Sequence, residues 1–437
     1  MEAVTDRKFD AIVIGSGPGG ATVSRELSKQ GAKVLILERG SNADIKGTMS
    51  QTLAIGLVPN RNLYVTPDWL MLIRATIVGG SSILAYATAF EPPYAMFDRY
   101  GIDLRREVEE SKRELPLAPL SEALTGPAAR RILQAARAMG LNWERLPKMV
   151  YQDKCRPDCD KCTMGCPYGA KWNARAYVSE ACARGATLLT NARVTRLSSS
   201  DGRIDAVEFT RRGSKSVISA PLIVLAAGGI GTPLILRASG VMNAGRDFFF
   251  DPIVVVHGTV EDLRGGREFP MAAGFHDPEE GYVLADLAWP RWLYALFTAE
   301  VLRFDRLAAH ASTLPIMVKI RDDLGGHLAP GGGVRKALGD ADRTRLIRGA
   351  ALARRILEQA GARHIFQTWY SAAHPGGTAK IGEVVDANLK TRYENLYICD
   401  CSVVPESWGL PPTLTLIALG RRLARHLATQ LPPGRRV

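Results

Sequence analysis

A chain of 437 residues, 46% hydrophobic and 23% charged, is long enough for two domains and has the composition of an ordinary globular protein, which argues against disorder. No apolar run reaches the roughly 20 residues of a spanning helix, and Met1 to Lys8 lacks an apolar signal core, so a cytoplasmic protein is expected, with any membrane contact peripheral. The net charge of +12 comes from Lys and Arg spread along the chain, which fits a solvated basic surface, and no nucleic-acid motif accompanies it.

In chain order, the first feature is Phe9 to Gly40. An apolar run, Ala11 to Ile14, enters Gly15-Ser16-Gly17-Pro18-Gly19-Gly20, and an amphipathic helix follows with Ala21, Val23 and Leu27 on one face. A second strand, Val34 to Leu37, delivers Glu38, 18 positions past Gly20, with Arg39 beside it. Gly15, Gly17 and Gly20 allow a tight turn and close approach to a pyrophosphate, whose charge sits on the helix N-terminus, while Glu38 accepts ribose hydroxyls. The strand-turn-helix-strand frame separates this from a structural glycine turn and predicts a bound dinucleotide.

Trp69 to Ile73 is an apolar run that meets Val78-Gly79-Gly80-Ser81-Ser82. Two glycines and two hydroxyls suit a backbone lying flat against a planar ligand, and suit an ordinary turn equally. Residues 102–146 read as covering structure, with a break at Gly126-Pro127 and a helix from Ala128 to Met139. Cys155, Cys159, Cys162 and Cys166 then crowd into twelve residues, against three cysteines elsewhere, which points to metal or redox work. Their tail, Cys159-x-x-Cys162-x-x-x-Cys166-Pro167, has the spacing and trailing proline of ferredoxin runs, so an iron–sulfur cluster (4Fe–4S or 3Fe–4S) is expected. A closed zinc site is the alternative.

Ala174 to Arg184 reads as a helix, and Ala186 to Leu197 with Ala206 to Thr210 as paired strands. Leu222 to Ala226 runs into a second glycine-rich turn, Ala227-Gly228-Gly229-Ile230-Gly231-Thr232-Pro233. From residue 246 aromatics become frequent. Arg291 to Phe304 carries a helical apolar stripe that reads as core, Ser312 to Ile320 reads as a strand, and Ala341 to Ala360 as a helix ended by Gly361. The expected fold is α/β. It combines a Rossmann-like dinucleotide domain (1–95, 150–245, 374–437) with a smaller α+β substrate domain of antiparallel sheet plus helices (96–149, 246–373).

The last third carries His374-Pro375-Gly376-Gly377-Thr378, then Cys399-Asp400-Cys401-Ser402-Val403-Val404-Pro405, then Pro411-Pro412-Thr413 opening a helix through about Leu427. With GSGPGG, VGGSS and LAAGGIGTP, these motifs resemble the glucose-methanol-choline (GMC) flavin oxidoreductases, in that family's order from end to end. The resemblance implies FAD and oxidation of an alcohol by hydride transfer to the flavin. By that resemblance Gly15, Gly17, Gly20, Glu38 and Arg39 belong to the ADP-binding motif, Val194 contacts adenine, and Gly79, Gly80 and Ser81 form the flavin-side loop. Asp400 matches the acid near the ribityl and pyrophosphate and His374 the active-site histidine, and Ala227, Pro411 and Thr413 are expected at the cofactor beside them.

The chemistry of the residues agrees. A histidine with an ordinary pKa near 6.5 can take a hydroxyl proton at neutral pH, and the helix opening at Thr413 offers free amides to a reduced flavin. Two positions depart from the family pattern, which has Asn or His where this chain has Pro411 and Asn where it has Ala85. The cysteine loop is similar to that of the iron–sulfur-containing glucose and gluconate dehydrogenases, and also to a segment of the long-chain alcohol oxidases. The resemblance therefore implies either a dehydrogenase passing electrons to an acceptor protein or quinone, or an oxygen-dependent oxidase. The aromatic and aliphatic weight of 248–304 points to an apolar alcohol as the small-molecule partner.

Overall fold

A computed structural model describes residues 7–431, so the first six residues of the polar start Met1 to Lys8 lie outside the described residues. Among the described residues, no helix is long and apolar enough to cross a membrane.

Ala11–Ile14, Val34–Leu37 and Leu222–Leu225 are four-residue aliphatic runs, buried at every position. Runs that are apolar on both faces suit a parallel sheet covered on both sides. They pair accordingly, in the order Leu396–Ile398, Leu222–Leu225, Ala11–Ile14, Val34–Leu37, Thr187–Leu189, all parallel. The helix Pro18–Lys29 opens on proline, which is preorganised for a first helical turn, and buries Ala21, Val23 and Leu27. It packs against the helices Thr413–Ala428 and Arg175–Ala183. Arg25 bonds Glu180 and Glu114, and Arg421 bonds Glu114, so one carboxylate pins the first and last helices together.

Ala192–Ser200, Arg203–Arg211 and Ser214–Ile218 form a separate antiparallel sheet, with the Ser199 to Arg203 turn closing its first hairpin. The expected helices at 128–139, 174–184 and 341–360 are present as Pro127–Ala138, Arg175–Ala183 and Asp340–Gln359.

The second large sheet is built around the 14-residue strand Arg246–Thr259. It runs antiparallel to Thr313–Ile320 on one side and to Ser371–Gly376 on the other. Ser371–Gly376 in turn pairs parallel with Met71–Ile73, so a strand from the first hundred residues closes one side of this sheet. Alternation divides the central strand. Val254 and Val256, with Ile316 and Val318, are buried in the cluster that includes Leu352, Ile356 and Leu357 of Asp340–Gln359 and Ile132 of Pro127–Ala138. Asp251, Ile253, Val255 and His257 occupy the opposite face, where Asp251 meets Lys319 and His257 meets Trp289.

Candidate active site

Gly15 has φ of +106°, and a Cβ there would lie 2.2 Å from the Ala226 carbonyl oxygen. Gly17 is the opposite case. A Cβ at Gly17 would meet nothing within 4 Å, so this is the open face of the turn. The helix that follows has no side-chain cap and no acid in its first turn, leaving its free amides available to an anion. Gly20 packs tightly on Gly15 and Ala226, as a close strand-to-helix turn requires.

Glu38 is buried, and its carboxylate accepts from the Ser16 amide (3.1 Å), the Ser16 hydroxyl (2.5 Å) and the Gly40 amide (2.6 Å). Burial pushes its pKa up, against the pull of these bonds. The Ser16 hydroxyl also accepts from the Gly79 amide at 3.1 Å, and a Cβ on Gly80 would stand 3.2 Å from Gly17 Cα. The two glycine loops, 60 residues apart in sequence, thus form one surface, with Ser81 in the short 3-10 turn that Gly80 opens.

The second glycine turn completes the cradle. Asp400 accepts from the Gly228 amide (2.8 Å), the Thr232 hydroxyl (2.5 Å) and the Ser402 amide (2.8 Å). Ala227 precedes the helix Gly228–Ala238, which has no side-chain cap, and Pro412 precedes Thr413–Ala428, which also has none. Pro411 and Thr413 are buried at that helix start, and Val194 is buried in the neighbouring three-stranded sheet. Three helix starts without a side-chain cap from their own N-cap residue give the cradle amides suited to a dinucleotide's charged groups, the Gly228 amide itself being taken by Asp400.

Arg39 belongs to a cluster that sequence reasoning missed. Burial and then the nearby Arg74, Arg193 and Arg61 hold Arg39 down to about 10. Burial likewise lowers Arg74, which lies near Glu38. Arg74 donates to the Arg61 carbonyl at 3.2 Å, and none of the four makes an ion pair among the described residues. Scattered over 154 positions, these arginines carry no spacing signal; only the fold gathers them.

His374 sits at the end of the Ser371–Gly376 strand with φ of +48°, unusual for a residue with a side chain. The strand pairing shifts register between Phe249 and Asp251, and this irregularity turns the imidazole toward the neighbouring strand. Its Nδ1 lies 2.8 Å from Asp251 Oδ2, and Lys319 Nζ lies 3.2 Å from the same oxygen. The side chains of Asp251 and Lys319 are almost fully buried, whereas 26% of the His374 side chain is accessible. Burial lowers the His374 pKa, Asp251 raises it, and Lys319 lowers it. Asp251 and Lys319 were not anticipated from sequence. The signal that could have found them is a single charge inside each of two strongly apolar runs, 248–256 and 314–320.

The His374 turn packs directly on the cradle. A Cβ on Gly229 would lie 1.8 Å from the Pro375 carbonyl oxygen, and the Thr378 hydroxyl donates to the Gly229 carbonyl at 2.8 Å. His374 and the second glycine turn are therefore neighbours.

Cys155, Cys159, Cys162 and Cys166 line one small cavity with Arg156, Tyr168 and Phe269. Cys159 and Cys166 accept from the Lys161 and Lys171 amides, each at 3.4 Å. Burial pushes the Cys155 thiol up to about 11 and Cys162 to about 12. Metal ligation needs thiolates drawn to a common point. Among the described residues, no three His, Cys, Asp or Glu side chains meet in a metal-holding arrangement. The expected iron–sulfur cluster, and the zinc alternative, are therefore not supported by the arrangement of these thiols. Lys171 instead ties this loop to the glycine loop, donating to the carbonyls of Cys162, Ile83 and Ala85.

Two family models match the chain, the N-terminal GMC oxidoreductase model over residues 9–254 and the C-terminal one over 334–420. The chain belongs to the GMC oxidoreductase family. An uncharacterised GMC-type oxidoreductase of Mycobacterium tuberculosis is 27% identical over 95% of this chain and 75% of its own length. A long-chain-alcohol oxidase of Arabidopsis thaliana is 22% identical over 99% of this chain and 70% of its own. Among solved structures, pyridoxine 4-oxidase from Mesorbium loti superposes with a TM-score of 0.76 at 17% identity, covering 96% of this chain and 99% of that one. At that identity the likeness establishes the GMC fold alone. The fold expected from sequence, a dinucleotide domain joined to a substrate domain, is the one observed.

Proposed function

We propose that this GMC oxidoreductase binds FAD and oxidises an apolar alcohol to a carbonyl, with His374 as the base. The observation that carries this reading is the contact between the Pro375 carbonyl and Gly229, which puts the histidine against the cofactor cradle. Gly17, Glu38, Asp400 and the amides of the three helix starts would hold FAD, with Val194 on the adenine side and Gly79 and Gly80 toward the flavin. The bound flavin supplies the hydride acceptor. The chain supplies an imidazole that is anchored through Nδ1, partly accessible and lowered in pKa, so that it stands neutral and ready to take the hydroxyl proton.

The four arginines gathered at Arg39, with Arg74 beside Glu38, would serve the same cofactor by offering positive charge to its anionic part. FAD retention should fall as salt is raised. Arg74→Ala should weaken FAD by roughly tenfold, on the scale of one charge-assisted hydrogen bond, as measured by flavin fluorescence on dilution.

The substrate class is supported by the face of the sheet that carries Asp251. Ile253, Val255, Met317, Ala285, Leu287 and Met271 gather there with Tyr86, Phe90 and Trp289. Beyond them, a small pocket is lined by His257, Trp289, Tyr294 and Thr313 among others. A hydrophobic primary alcohol should reduce the flavin faster than glucose or another polyol at matched concentration. The reverse preference in an anaerobic screen followed by flavin bleaching would overturn the substrate class.

Two acceptors remain in play. Dioxygen needs nothing further from the chain. A one-electron acceptor reached through an iron–sulfur cluster rests on the spacing of the four cysteines, whose thiols line one small cavity without forming, among the described residues, a metal-holding arrangement. Iron and sulfide analysis of anaerobically purified protein distinguishes them. About four irons per chain would support the cluster, and none together with rapid reoxidation by dioxygen would support the oxidase.

A further inference from the structure

The sheet face that carries Val255 and His257 also carries a fully buried charge pair, Asp251 and Lys319, and Asp251 meets His374. Asp251 Oδ2 receives both His374 Nδ1 and Lys319 Nζ, at 2.8 and 3.2 Å, while Oδ1 has no hydrogen-bond partner among the described residues. A buried carboxylate this poorly satisfied is costly for a purely structural device, because an unpaired lone pair in an apolar site forfeits its hydration. The backbone is also committed to the arrangement. Asp251 stands opposite Ala373, directly after the register shift, and His374 takes the left-handed conformation needed to meet it.

We infer that Asp251, held by Lys319, is a positioning residue for His374 that fixes the imidazole as the Nδ1–H tautomer and leaves Nε2 as the proton acceptor. This rests on the reading of His374 as the base. Lys319 comes from the strand opposite, where it pairs with Ile253, and its Nζ donates to the same Asp251 oxygen that meets His374. A carboxylate accepts but cannot donate, so a proton must sit on Nδ1. A neutral imidazole carries one proton, which leaves Nε2 bare.

The other groups around the site do not offer Nδ1 a rival partner. Cys401 directs its Sγ to the His374 carbonyl at 3.8 Å, and its thiol is pushed well up by burial. Asp322, the next carboxylate near Asp251, is occupied by Lys336 at 2.7 Å. His276 lies on the far side of Lys319, whose charge lowers it further. Removing the carboxylate therefore has two consequences. An amide at 251 can donate to Nδ1 and favour the wrong tautomer, and loss of the negative charge lowers the His374 pKa further.

The test uses FAD-loaded protein with ¹⁵N-labelled histidine, the His374 signals being assigned by their loss in His374→Ala. Wild type should show a protonated Nδ1 and a bare Nε2, and Asp251→Asn should show the tautomer mixed or reversed. In parallel, Asp251→Asn should slow flavin reduction roughly 10²-fold with a substrate KM changed by only a few-fold, and move the acid limb of the rate to lower pH by about one unit or more. The double variant Asp251→Asn/Lys319→Met removes the stranded lysine charge. It should regain thermal stability lost in Asp251→Asn without regaining the tautomer. A bare Nδ1 in wild type, or an Nδ1–H tautomer unchanged in both variants, overturns the inference whichever substrate the enzyme takes. A wild-type tautomer as inferred, with no alcohol able to reduce the flavin, would instead count against the alcohol-oxidation reading alone.

Discussion

His374→Ala is expected to leave FAD in place and to slow reduction of the flavin by alcohol by roughly 10²-fold or more, the usual scale for a positioned general base. FAD should remain because the histidine side chain takes no part in the cradle. Its neighbours do, through the Pro375 carbonyl against Gly229 and the Thr378 hydroxyl on the Gly229 carbonyl, and both are backbone or remote side-chain contacts that the substitution leaves alone. Stopped-flow absorbance under anaerobic conditions gives the rate. A variant as fast as wild type would place the base elsewhere.

Gly17→Val should produce a folded protein without FAD. A Cβ at Gly17 meets nothing within 4 Å, so the apo fold is undisturbed, while the added branches fill the space a pyrophosphate needs. Loss of binding by 10²-fold or more, about 3 kcal/mol or more, is the expected scale for overpacking a close contact together with a lost charged interaction. The same change at Gly15 or Gly20 would collide with backbone and threaten the fold itself. Glu38→Ala also removes FAD affinity, but it strands the Ser16 and Gly40 amides, so thermal stability should fall with it. Comparing melting temperature with flavin content separates the two effects. A Gly17→Val protein that stays yellow would contradict the cradle.

The dinucleotide half was legible because its requirements are local. Gly15 to Glu38 carries strand, turn, helix and acid within 24 residues, and each residue type answers a nearby geometric demand. The strand-to-helix turn at 228–229 was legible for the same reason, whereas the pair at 79–80 read equally as an ordinary turn and His374 stood out only through its motif. Contacts made across the sequence were not. Asp251 reaches His374 across 123 positions, and Arg61 and Arg74 come near Arg39 and Arg193 only through the fold, from the strand pair 63–73 that joins the second sheet. Nor does spacing alone decide ligation. The cysteine loop has the order of a ferredoxin run, yet Lys171 is spent on carbonyls of two loops and, among the described residues, no three ligands converge.

The central claim, an FAD-dependent alcohol oxidoreductase, is tested most directly by the visible spectrum of the purified protein during anaerobic addition of a hydrophobic primary alcohol. The expected result is one FAD per chain whose oxidised absorbance bleaches on mixing in the wild type and bleaches at least roughly 10²-fold more slowly in His374→Ala. A protein that stays colourless when FAD is supplied, or a bound flavin that no alcohol reduces, would contradict it.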